Sequence, residues 1–244
     1  MLHIGVGRNV GLCWLGGGGT SSMSWSKPKA LELIRETRLV PVVRTTSMQA
    51  ALYAVEGTVA AGVSIVEITM TVPNALRVIE SVSKCYGDKI LLGAGTILNT
   101  ESCRDAIQAG ADFIVSPVLD VDVVELAHRH GKLCFPGALT PNEVFRAWQA
   151  GGDLVKVFHC GLMGGAQYIR ALKGPFPDIE LIPTGGLNFQ TAPECIKAGA
   201  VAVGVGPTIL DPEALRLGKV DVITANTRKF LEAIGSGRTS SPTS

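Results

Sequence analysis

The stretch L-V-K-V-F-H-C-G-L-M-G-G-A-Q-Y-I-R-A-L-K-G-P-F-P-D-I-E-L-I-P-T-G-G, residues 154–186, contains one complete unit of the fold. Leu154–Phe158 and Glu180–Pro183 read as short strands, and the segment between them is filled by a helix. The second strand ends at Thr184-Gly185-Gly186. Strand, helix and strand in that order describe a parallel pairing with a helical crossover. The same unit recurs on both sides. Leu39–Val43 ends at Arg44, Ser64–Ile68 ends around Glu67 and Thr69, and Ile90–Leu92 runs into the turn Gly93–Thr96. Phe113–Val115 ends at Ser116-Pro117, Leu133–Phe135 at Pro136-Gly137, and Ala200–Val205 at Gly206-Pro207. Eight strand-helix units without an internal break predict an α/β chain closed into a (β/α)8 TIM barrel. An open doubly wound sheet is the alternative. A short amphipathic helix over Lys29–Arg35 precedes the first strand, Pro73 marks a helix start, and a longer helix is expected from Leu215 to Ala233.

Composition agrees. Apolar residues are 46% of 244 and aromatics only 5%, with 29 glycines, so Val, Ile, Leu and Ala do the packing and many tight turns follow. The formal net charge is +1, with no basic stripe and no acidic tail, and nothing proposes a nucleic acid partner. No apolar run is long enough for a membrane span. The cysteines are scattered, with no C-x-x-C pair and no zinc spacing, which reads as free thiols in a reducing, cytoplasmic setting. Residues 1–26, with glycines 16–19, read as a flexible extension in which Met23 is a candidate start. Residues 27–234 form the barrel domain, and 235–244 a frayed tail.

In barrels of this kind the chemistry lies at the C-terminal strand ends. That rule selects Arg44, Glu67, Thr69, Thr96, Pro117, Thr140, Lys156 and the glycine-rich turns. Lys156 lies inside an apolar strand, and alternation puts it on one face with Leu154 and Phe158. Burial disfavours an ammonium and frees the amine for attack on a ketone. A snorkelling or ion-paired lysine is the bland alternative, and position alone does not choose. Glu67 is a carboxylate at the end of another apolar strand, suited to pairing with Lys156 and moving protons, or to a purely structural ion pair. The turns Gly93–Thr96, Pro183–Gly186 and Gly204–Pro207 offer backbone N–H groups to an anion, and the last two follow strands seven and eight, where barrels commonly bind phosphate. His3, His128, His130 and His159 do not form a metal set.

These residues together resemble the 2-keto-3-deoxy-6-phosphogluconate aldolase family, which also covers 4-hydroxy-2-oxoglutarate aldolases. The resemblance spans about Lys29 to Phe230. It rests on G-V-S-I-V-E-I-T-M-T (62–71), L-G-A-G-T-I-L (92–98), A-G-A-D-F-I-V-S-P (109–117), F-P-G-A-L-T-P-N-E (135–143), L-V-K-V-F (154–158) and I-P-T-G-G-L (182–187), in that order. It implies a homotrimeric class I aldolase that needs no metal or organic cofactor. Lys156 would form the Schiff base, with Glu67 as general acid and base working through a water. Thr96 would hold the 2-oxo acid carboxylate. Pro117 and Phe158 would shape the pocket, and Thr184, Gly185, Gly186 and Gly206 would serve the distal end of the substrate. The expected reaction releases pyruvate and an aldehyde. 2-Keto-3-deoxy-6-phosphogalactonate cleavage, a non-catalytic binding barrel and a barrel isomerase are the alternatives.

Three positions depart from the family pattern: Thr71 replaces an arginine that binds the carboxylate, His159 replaces a proline after Lys-x-Phe, and Pro207 replaces a serine that contacts phosphate. Arg44, at the end of strand one, is the natural replacement cation and could hold carboxylate or phosphate bidentately.

Overall fold

The computed structural model describes residues 25–235. Its strands are β1 (Leu39–Val43), β2 (Ile65–Thr69), β3 (Leu91–Gly95), β4 (Phe113–Val115), β5 (Leu133–Phe135), β6 (Gly137–Ala138), β7 (Val155–Phe158), β8 (Leu181–Thr184) and β9 (Val203–Val205). All pair in parallel, in the order β5-β4-β3-β2-β1-β9-β8-β7-β6. The ends of that order, β5 and β6, are separated only by Pro136. A proline has no N–H to give a ladder, so the strand divides there. Phe135 O accepts from Ser116 N at 3.2 Å on one side, and Pro136 O accepts from Lys156 N at 3.0 Å on the other. The divided strand thus joins both neighbours and closes the (β/α)8 barrel.

The helices are α1 (Lys27–Thr37), α2 (Met48–Ala60), α3 (Ala75–Tyr86), α4 (Thr100–Gln108), α5 (Val121–Arg129), α6 (Pro141–Gln149), α7 (Ala166–Lys173), α8 (Thr191–Lys197), α9 (Pro212–Arg216) and α10 (Val220–Ile234). Several begin as the sequence dictates. Ser47, Asn99, Asp120 and Asp211 accept from amides of the first turn. Thr140 and Glu143 form a reciprocal capping box, so Thr140 is a helix cap. Close approach of α2 and α10 needs Gly57, where a Cβ would lie 2.7 Å from Ile223.

α1 covers the N-terminal end of the barrel. Ile34 is fully buried, Lys27 Nζ bonds Asp153 at 3.1 Å, and Arg35 makes a two-point pair with Glu180 at 2.7 and 2.8 Å. Asp153 and Glu180 lie just before β7 and β8. Trp25 Nε1 donates to Ile90 O, just before β3, at 3.0 Å. This end is therefore closed, and the opposite end is left for chemistry.

Three expected boundaries shift. Gly93–Gly95 belongs to strand β3. The helix after Pro73 begins at Ala75, behind a left-handed Asn74. The long C-terminal helix is two helices, separated around Gly218 at φ +66°. Cys103, Cys134, Cys160 and Cys195 are buried free thiols as expected, whereas Cys85 is disulfide-bonded. Met23, most of the expected extension and nearly all of the expected tail lie outside the described residues. Among the described residues no helix is long and apolar enough to cross a membrane.

Candidate active site

The inward face of the strands alternates large or polar side chains with glycine. A Cβ on Gly93 would lie 2.2 Å from the Phe113 ring. One on Gly95 would lie 1.8 Å from Glu67 Oε1, and one on Gly204 would lie 2.4 Å from Thr184 Oγ1. The glycines of β3 and β9 therefore act as space for neighbouring side chains. The G-A-G of the turn expected over 93–96 is strand, and its contribution is room for a carboxylate.

At the C-terminal ends of β1, β7, β8 and β9 lies a cavity of about 550 Å³. Lys156 enters it from β7. Its flanks Val155 and Val157 are fully buried on the other face, while Lys156 is 4% exposed. Nζ lies 5.2 Å from the centroid of the Phe158 ring, which also lines the cavity. Nζ has no hydrogen-bond or ion-pair partner among the described residues.

Glu67 is 3% exposed on β2, and its Oε1 has no hydrogen-bond partner among the described residues. Burial pushes its carboxyl above the usual carboxylate range, and the charges of Lys156 and then Arg44 oppose that rise. Glu67 and Lys156 thus sense one another electrostatically without the direct ion pair expected from sequence. Arg44, exposed at the end of β1, lines the cavity and donates from Nη2 to Thr96 Oγ1 at 3.3 Å. Thr96 holds a left-handed backbone at φ +62° just after β3. Thr71, where the pattern has arginine, engages Thr69 Oγ1 at 2.9 Å, and Thr69 in turn donates to Val43 O at 3.0 Å.

Beyond β8 the chain turns through Gly185 at φ +88° and Gly186 at φ +71°. The amides of Gly186 and Leu187 donate to no group among the described residues, so two N–H groups remain for an anion. Thr184 and Gly206 line the same cavity.

The structure therefore gathers Arg44, Lys156, Phe158, Thr184, Gly185, Gly186 and Gly206 around one cavity, with Glu67 and Thr96 linked to it through Lys156 and Arg44. Pro117 stands apart from the lining, and its backbone occupies the space beside Gly137. His128 and His130 are engaged elsewhere, by Asp153 and by Leu126 O, each at 2.9 Å. No group of three or more His, Cys, Asp or Glu among the described residues could hold a metal ion. Sequence reading missed Asn188 and Leu187 in the lining. Asn188 had a signal, as N-x-x-T before a helix: its Oδ1 accepts from Gln190 N and Thr191 N, both at 2.9 Å.

A family model for KDPG and KHG aldolases matches residues 31–226. The 2-dehydro-3-deoxy-6-phosphogalactonate aldolase of Escherichia coli (strain K12) is 34% identical over 169 residues, covering 69% of this chain and 82% of that protein. The 2-dehydro-3-deoxy-phosphogluconate aldolase of Treponema pallidum (strain Nichols) is 29% identical over 204 residues, covering 84% and 97%. Among solved structures, the KDPG aldolase of Legionella pneumophila, with pyruvate captured as a covalent carbinolamine intermediate, superposes with a TM-score of 0.76 at 26% identity, covering 82% of this chain and 96% of the other.

Proposed function

The chain belongs to the KDPG and KHG aldolase family, and from that premise we propose that it is a metal-independent class I aldolase. It cleaves 2-dehydro-3-deoxy-6-phosphogluconate to pyruvate and D-glyceraldehyde 3-phosphate, or 4-hydroxy-2-oxoglutarate to pyruvate and glyoxylate, or both. The observation that carries this reading is Lys156, a buried amine with no hydrogen-bond or ion-pair partner among the described residues, on an inward face beside a cavity that also holds a cation and a glycine turn.

In this reading the neutral amine of Lys156 attacks the 2-oxo carbon, and loss of water leaves an iminium. The iminium accepts the electron pair of the C3–C4 bond as the 4-hydroxyl loses its proton and the aldehyde departs. The resulting enamine takes a proton at C3, and water returns to release pyruvate. Glu67, whose raised affinity for a proton suits it to both giving and taking one, serves these transfers. Arg44 and Thr96 hold the substrate anion at one side of the mouth, Phe158 shapes the pocket, and Thr184, Gly185, Gly186 and Gly206 receive the distal end.

Borohydride added with pyruvate is expected to inactivate the enzyme and to add a pyruvate-derived mass to the peptide containing Lys156. Lys156→Ala is expected to stay folded and trap nothing. Labelling at another lysine, or none in the wild type, would sink the mechanism and favour a binding barrel. The 34% identity to a phosphogalactonate aldolase favours a second reading, in which the C4 epimer is preferred. Relative kcat/KM on the two phosphorylated acids decides between them. The trimer implied by the resemblance is supported by exposed apolar side chains, among them Leu98, Val118, Trp148 and Leu162.

A further inference from the structure

His159 has no task in the chemistry above. It follows Phe158 at the end of β7, where strand alternation would carry its side chain to the helix side, yet it lines the cavity with Lys156 and the Gly185–Gly186 turn. Its ring tilts against Phe158 at 5.4 Å between centroids. It also lies flat on the turn. A Cβ on Gly185 would be 2.6 Å from Cδ2 and 2.8 Å from Nε2, and one on Gly186 would be 2.7 Å from Cε1. The imidazole fills the space that side chains at both positions would take.

Packing alone would suit an apolar ring. An imidazole instead brings two polar atoms into the wall, and neither has a partner: Nδ1 is shut off from solvent without a hydrogen bond, and Nε2 bonds no group among the described residues. Buried polar atoms of this kind are unfavourable unless something engages them. The same place holds the amides of Gly186 and Leu187, which also donate to no group. With Nδ1 enclosed, Nε2 is the nitrogen able to turn a proton toward a ligand. Unused donors converging on one turn fit an oxygen-rich anion.

We propose that His159 is a specificity-determining residue whose ring hydrogen-bonds the terminal phosphate of the substrate, beside the Gly186 and Leu187 amides. The proposal rests on the aldolase reading. Its test compares the wild type, His159→Phe and His159→Gln on 2-dehydro-3-deoxy-6-phosphogluconate and on the same acid without phosphate. Phenylalanine keeps a ring on the glycine turn and removes both nitrogens, and glutamine keeps N–H donation without the ring. The preference for the phosphorylated acid, as a ratio of kcat/KM values, is expected to fall about tenfold in His159→Phe, mainly through KM, and to recover in part in His159→Gln. An unchanged preference overturns the proposal and leaves the ring a packing role, as does an equal loss on both acids. If the phenylalanine variant does not fold, the same ratio is read from His159→Gln and His159→Ala, with the alanine variant expected to lose more. Wild-type enzyme that traps no pyruvate would overturn the aldolase reading itself, a result distinct from either outcome for His159.

Discussion

Glu67 gives the site its pH signature. Its folded-state carboxyl is raised by burial above the ordinary value of 4.5, so the folded protein binds this proton more tightly than the unfolded chain does. The stability linked to it is fully present below 4.5 and is lost as pH rises through the raised folded value. Glu67→Gln has no such loss. The melting temperature of the wild type is therefore expected to fall relative to Glu67→Gln as pH climbs above 4.5, while kcat of the variant drops; parallel melting curves would show that burial does not perturb this group. Arg44 acts on the same carboxyl and on Thr96. Arg44→Ala is expected to lower kcat/KM by roughly 10- to 150-fold, the worth of a charged hydrogen bond. Weaker pyruvate trapping would place the clamp on the carboxylate, and wild-type kinetics on every substrate would reduce Arg44 to a surface charge. Lys156 and Glu67 were legible in the sequence because a charge inside an apolar strand is rare. The inward turn of His159 was not, since alternation from Lys156 and Phe158 would carry that side chain to the helix side.

Strand β3 shows where letter and role part. Glycine is the commonest sign of a turn, and L-G-A-G-T reads as one, yet a strand glycine also marks close approach by a neighbour. Both meanings use the same residue, and only the position of Glu67 separates them. Gly95→Ala would set a methyl 1.8 Å from Glu67 Oε1, so the carboxylate must move or the strand must shift. The variant is expected to lose about 1–3 kcal/mol by equilibrium denaturation. Its kcat should fall about as far as that of Glu67→Gln, and wild-type turnover would show that the carboxylate's position does not matter. The eight-unit rhythm was legible because each strand is apolar and each ends in polar or glycine-rich residues. The division of the fifth strand at Pro136 was visible only as a proline, since its meaning depends on two neighbours distant in sequence.

At the scale of the whole molecule, the exposed apolar side chains call for a cover. Leu162 is 82% exposed in the single chain. Sedimentation equilibrium is expected to give three times the chain mass of 25.6 kDa, and Leu162→Glu to shift it lower. A monomer at micromolar concentration would contradict the trimer. The helix α1 that seals one end has a consequence for traffic. With that end closed, the way in and out among the described residues passes exposed Gly186, Asn188 and Pro207, while Lys156 stands at the inner wall. In the proposed reaction the three-carbon fragment held by Lys156 is thus the inner passenger of a one-door vessel. The aldehyde departs first and pyruvate second, and in synthesis pyruvate boards first. An excess of aldehyde, arriving early, stands in the doorway and blocks its own partner.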